Sequence, residues 1–173
     1  PEIGEIIEDG QSLEENALIK ANHVHKLTNL PTLADDTGLE VEALNGEPGI
    51  YSARFAGENC SYSDNVEKLL KEMANIPSNE RFACFRTAIA YVDDKMELST
   101  EGAVKGLITD VTKGIDGFGY DPVFYVPEMN KTYAEMNIKE KNQISHRGKA
   151  LKKMQKLLQS RVPKIFHQME DIA

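Results

Sequence analysis

The stretch from Arg81 to Ile108 limits the fold more than any other. Its two runs, "RFACFRTAIAYV" and "MELSTEGAVKGLI", are rich in β-formers and are joined by Asp93, Asp94 and Lys95, a pattern that predicts a long β-hairpin. A sheet must then be the framework, and the other segments must cover it. "SLEENALIKANHVHKL", residues 12–27, sets Ser12 and Glu15 at capping-box spacing. Leu13, Ala17, Ile19 or Lys20, Val24 and Leu27 follow as a helical stripe. A second helix is expected after Ser63 or Asp64, over "NVEKLLKEMAN", with Val66, Leu69, Leu70 and Met73 on one side. Residues 145–160, "SHRGKALKKMQKLLQS", form a last amphipathic helix, and "TYAE" has the capping-box form again. "TLADD", "GLEVEAL" and "PVFYV" read as strands, the second by strict alternation of Leu39, Val41 and Ala43. "NGEPGIYSARFAGE" reads as loop with a short helix in its middle. Helices and strands interleave, so the fold class is α/β or mixed α+β around one sheet, in a single domain spanning 1–173.

Composition narrows the function. The chain has 173 residues, 40% hydrophobic and 28% charged, enough apolar content for a sizeable core. A formal net charge of -8 argues against long nucleic acid as a partner. It leaves room for a small polyanion carried with a divalent cation. Cys60 and Cys84 lack metal-ligand spacing and point to a reducing compartment. No stretch is long and apolar enough for a membrane span, and no signal-peptide core is present. A cytoplasmic location is the expectation.

Four stretches carry candidate chemistry. In "ADDTGLE" (34–40) an acidic pair closes an apolar strand, where α/β sheets commonly bind ligands. Neighbours on a strand point to opposite faces, so one of Asp35 and Asp36 faces a site while the other braces a loop. The competing reading is a plain Asp-Asp-Thr-Gly turn. The acidic run Glu2, Glu5, Glu8, Asp9, Glu14 and Glu15 offers hard oxygen ligands, although, taken alone, a solvated surface with acids favouring a helix dipole accounts for the run better, and for Glu14 and Glu15 especially. In "KNQISHRGKA" (141–150), Ser145 caps a helix whose first turn holds His146 and Arg147. Cations there oppose the helix dipole and need an anion or a base edge to explain them, unless they are simply exposed. Finally, "GFGYDP" (117–122) sets Phe118 between glycines and follows Tyr120 with Asp121 and Pro122. An aromatic on so permissive a backbone can stack on a nucleobase, with Asp121 accepting from ring N–H groups. Core aromatics at a strand entrance are the alternative.

"SLEENALIKA", "LADDTGLEVEALNGEPGIYSARFAGE", "GFGYDPVFYVP" and "ISHRGKAL" occur in this order along nearly the whole chain. Together they resemble the inosine triphosphate pyrophosphatase family, whose bacterial members are dITP/XTP pyrophosphatases. The resemblance implies an elongated central mixed sheet flanked by helices, in two lobes with the active site in the cleft between them. It implies hydrolysis of ITP, dITP and XTP to the monophosphate and pyrophosphate, with magnesium, by a homodimer. Asp36 would be the metal-associated carboxylate and proton acceptor, with Thr37 beside the substrate and Glu8 as the second metal ligand. Phe118, Gly119, Tyr120 and Asp121 would bind the base, and Lys141, His146 and Arg147 would complete the pocket. The family also begins with a strand and a Thr/Ser-x-Asn-x-x-Lys loop that find no counterpart here, so the resemblance implies a chain that starts after them. Two rivals predict different behaviour: a nucleotide-binding protein would bind without releasing pyrophosphate. A metal-dependent phosphohydrolase of other small phosphates would show no preference for 6-oxopurines.

Overall fold

The computed structural model describes residues 2–161; Pro1 and the end of the 1–173 span lie outside it. Its framework is the expected hairpin, β3 (Phe82–Val92) and β4 (Glu97–Ile108), paired from Phe82↔Leu107 to Val92↔Glu97. On one side of it lie β1 (Thr32–Val41) and β2 (Pro48–Gly49). On the other lie β5 (Phe124–Val126) and β6 (Lys131–Thr132), giving the order β2-β1-β3-β4-β5-β6. The helices are α1 (Leu13–Thr28), α2 (Tyr62–Glu72), α3 (Ile138–Ile144) and α4 (His146–Arg161). The mixed α/β class stands, but every described strand pairing is antiparallel where a mixed sheet was expected.

Alternation along the strands assigns the two faces. Ala88, Ala90 and Val92 of β3 meet Leu13, Ala17 and Ala21 of α1 on one face. The small side chains let that helix lie close to the sheet. On the opposite face, Ile89 and Leu98 pack against Ala150 and Met154 of α4. Further along this same face a larger core gathers Leu39, Val41, Phe85, Val104 and Ile108 of the sheet with Val66, Leu69 and Met73 of α2, Phe124 and Tyr133. Phe85 and Phe124 meet edge-on at 4.7 Å. Two separate packing units thus share one face, and a gap opens on it beside the start of α4.

Several local expectations shift. "TLADD" and "GLEVEAL" belong to one continuous strand: ten consecutive pairs with β3 override the turn chemistry of Asp35–Gly38. That strand stops at Val41, and Glu42–Leu44 forms a 3-10 turn. Ser61, rather than Ser63 or Asp64, caps α2; Asp64 closes the capping box by accepting from the Ser61 N–H. In α1 the buried residues are Leu13, Asn16, Ala17 and Ala21, while Leu27 lies exposed beyond the sheet. Ser12 does cap that helix, but Glu15 accepts from the Gln11 N–H instead of closing the box. "PVFYV" contributes only Phe124–Val126 to the sheet. Helix α3, unexpected, starts from an Asn137–Glu140 capping box.

Candidate active site

The gap on the α4 face is a cleft of about 1170 Å³. It is lined by Thr37 and Phe85 from the sheet, the 116–121 segment, Tyr133, and α3 with the first turn of α4. That exceeds the usual range for small-ligand sites, roughly 300–1,000 Å³. The structure therefore brings together Thr37, Phe118, Gly119, Tyr120, Asp121, Lys141, His146 and Arg147 around one cavity.

"GFGYDP" is a tight turn built around one carboxylate. Asp121 is 3% exposed, and its Oδ2 accepts from the Phe118 N–H at 2.8 Å and from Lys141 Nζ. Gly117 has φ +83, and a Cβ there would collide with that carboxylate, so only glycine serves. Asp121 thus braces the turn and holds Lys141. Tyr120 is buried, and its hydroxyl donates to the Ser52 carbonyl at 2.9 Å. Phe118 alone projects, 54% exposed, with Tyr62 at 6.1 Å, Lys141 Nζ at 5.2 Å and Arg147 Cζ at 5.9 Å from its ring.

Across the cleft, Ser145 Oγ accepts from the Gly148 N–H and caps α4 as expected. His146 is buried and stacked on Phe85 at 4.7 Å and 11°, with Tyr133 at 5.9 Å behind. Burial, with the nearby Arg147 and Lys141 cations, pushes its imidazole down to about 3. The ring is neutral at physiological pH and is not the cation inferred from its place in the helix. Its Nδ1 and the Tyr133 hydroxyl are buried without a partner among the described residues. Burial also pushes the Tyr133 hydroxyl up.

The acidic pair divides as strand geometry requires. Asp35 and Thr37 share the α4 face, where Thr37 lines the cleft and Asp35 braces Arg147 of α4, not a loop. Asp36 faces α1, where Lys20 Nζ reaches its Oδ1 at 2.6 Å and Asn16 Nδ2 its Oδ2 at 3.4 Å. Lys20 also pairs with Glu8 at 3.3 Å. Burial raises the Asp36 carboxyl, Lys20 opposes the rise, and Glu8 adds to it. Asn16 and Lys20 carry no assigned role in the sequence reading, yet their four-residue spacing puts them on one helix face. Tyr62, Phe85 and Tyr133 also escape it, since nothing in their local sequence separates a cleft wall from ordinary core.

Magnesium takes oxygen ligands, typically one or two carboxylates plus substrate phosphates. Asp36 and Glu8 converge on the single cationic point of Lys20 Nζ, and such an oxygen pair fits a hard divalent ion. Among the described residues no group of three or more His, Cys, Asp or Glu gathers as a complete protein-only metal cage.

A sequence profile of the Ham1 family matches residues 1–157. The chain belongs to the Ham1 family. A dITP/XTP pyrophosphatase from a Thermoanaerobacter species is 50% identical to this Ham1 chain over 158 residues, covering 91% of it and 80% of the relative. One from Vibrio cholerae is 47% identical over 160 residues, with the same coverage of each. The solved Staphylococcus aureus Ham1 protein superposes with a TM-score of 0.85 at 46% identity, over 90% of this chain and 81% of that one.

Proposed function

We propose that this Ham1 protein hydrolyses non-standard purine nucleoside triphosphates (dITP, ITP and XTP) to the nucleoside monophosphate and pyrophosphate, clearing them from the nucleotide pool. One observation carries the reading. A projecting aromatic, Phe118, with two cations within 6 Å of its ring, lines one cleft with a neutral, stacked His146 and with Thr37, the β1 neighbour of an acid–lysine cluster at Asp36. The names of the relatives, dITP/XTP pyrophosphatase, support it.

The two halves of the site suit the two ends of such a substrate. Phe118 offers a stacking face, worth roughly 1–3 kcal/mol for a base. Arg147 has only donors, and His146 can donate from one ring nitrogen. A 6-oxygen on the purine satisfies them, whereas the 6-amino group of adenine would set donor against donor. A buried mismatch of that kind rejects a substrate strongly. Guanine shares the 6-oxygen, so its rejection must act through the 2-amino group. Thr37 and Asp36 are neighbours on β1 with side chains on opposite faces, so a substrate engaging both reaches past the strand at this point.

The reaction adds water at the α-phosphorus and breaks the α–β bridge, with pyrophosphate leaving. Asp36 accepts the proton of the attacking water, and the burial that raises its carboxyl makes it a better base than an exposed aspartate. Lys20 sits beside Asp36, where its positive charge faces the developing negative charge on the phosphate oxygens. Magnesium held by Asp36 and Glu8 would neutralise and orient the phosphate oxygens. The reading extends to a homodimer in the cytoplasm, supported by the resemblance and by the free thiols of Cys60 and Cys84.

Phosphorus NMR of the products tests the chemistry. ITP with magnesium is expected to give IMP and pyrophosphate, and Asp36→Asn to abolish both. IDP and orthophosphate as first products would overturn the reading, as would binding of ITP with no turnover.

A further inference from the structure

The two cations flanking Phe118 are each held by an acid. Lys141 is fixed by buried Asp121, and Arg147 by Asp35. The second pair crosses from β1 to the first turn of α4, joining residues 112 positions apart. Arg147 Nε and Nη2 both donate to Asp35 Oδ2, at 3.1 and 2.8 Å. Thr37 Oγ1 lies 3.4 Å from the same oxygen and 2.6 Å from Thr87 Oγ1, whose residue is fully buried in β3. The carboxylate is therefore anchored to the sheet and, in turn, fixes the plane of the guanidinium.

That arrangement answers a physical need. A cation in the first turn of α4 is repelled by the positive end of the helix dipole. Arg147 has a long, freely rotating stem, and without a counter-charge its guanidinium would spread over many positions in water. Two charge-assisted bonds converging on one carboxylate oxygen restrict that freedom. With Nε and Nη2 engaged, Nη1 is the guanidinium nitrogen that makes no hydrogen bond among the described residues. The Cζ beside it stands 5.9 Å from the Phe118 ring, on the cleft. The pairing also gives Arg147 a counter-charge, so its free N–H edge can serve as a donor to an uncharged carbonyl.

We infer that Asp35 is a positioning residue for base selection: it orients Arg147 so that one N–H edge is presented to the 6-oxygen of a purine stacked on Phe118. The inference rests on the proposed function for the identity of the ligand, but the Asp35–Arg147 coupling stands apart from it.

Two measurements test it. The first is steady-state hydrolysis of ITP and ATP by wild type, Asp35→Ala, Asp35→Asn, Arg147→Ala and the Asp35→Ala/Arg147→Ala double variant. Asp35→Ala is expected to lower kcat/KM for ITP on the order of tenfold, mainly through KM, and to leave ATP unchanged. The ITP-to-ATP ratio falls by the same factor. Asp35→Asn, which keeps an acceptor but loses the charge, should fall between, and Asp35→Ala should cost nothing further once Arg147 is gone. An unchanged ITP-to-ATP ratio in Asp35→Ala, or an equal loss with and without Arg147, overturns the inference. The second measurement follows the Arg147 Nε–H by NMR, assigned through Arg147→Lys. Slow exchange in wild type that is lost in Asp35→Ala supports the positioning role, even if wild type proves inactive on ITP. An Nε–H signal indifferent to Asp35 refutes it.

Discussion

His146 shows how far burial can change what a residue is. Stacked on Phe85 and covered by Tyr133, it is pushed down to about 3, whereas an unfolded histidine titrates near 6.5. Between those values the unfolded chain binds a proton that the folded chain refuses. Stability therefore falls as pH drops through this window, by up to roughly 1.4 kcal/mol per pH unit. Urea unfolding at pH 7 and pH 5 is expected to show wild type losing roughly 2 kcal/mol more than His146→Phe, which keeps an aromatic ring in the stack. Equal losses would mean that the ring is solvated. The sequence made part of this legible. A His-Arg pair in a capped first turn is out of place there, and for Arg147 the missing partner exists as Asp35. For His146 the inference of a cation was wrong, because the aromatic walls come from positions 85 and 133, far away in the chain. Strand alternation did separate Asp35 from Asp36, but it could not say that Arg147 would meet one and Lys20 the other.

Among the elements, α4 depends on one residue of the strand beneath it. A Cβ on Gly102 of β4 would collide with the His146 carbonyl and the Ala150 N–H, so only glycine lets the start of α4 settle on the sheet. Gly102→Ala is expected to destabilise the protein by roughly 1–3 kcal/mol through overpacking. It should also weaken ITP turnover, because the displaced turn carries His146 and Arg147. Calorimetry and the turnover assay read the two effects, and an unchanged Tm would show that α4 is not seated as described. Elements with strong periodicity could be read from the chain: β3, β4, α2 and α4 fall within a few residues of expectation. Those set by pairing could not. β1 runs straight through Asp-Asp-Thr-Gly because β3 offers it a partner at every position. The short α3 lacks an apolar repeat of its own, although its Asn137–Glu140 box is a start signal that the sequence displays.

Across the whole molecule, the antiparallel sheet carries two functions on one strand. Its α4 face supports the walls of a cleft roomy enough for a nucleotide, and its α1 face supports an acid–lysine cluster suited to phosphate chemistry. Neither half alone distinguishes a nucleotide pyrophosphatase from a binding protein or a general phosphohydrolase. Their adjacency at Asp36 and Thr37 is what the pyrophosphatase reading uses, and that reading requires that base identity control turnover. Pyrophosphate release from ITP, dGTP and dATP under the same magnesium concentration measures this directly. The structure predicts a kcat/KM for ITP at least about a hundredfold above that for dATP, the range in which an unpaired buried donor rejects a substrate, with dGTP also disfavoured. Comparable rates on all three would contradict it, leaving a phosphohydrolase whose cleft does not read the base.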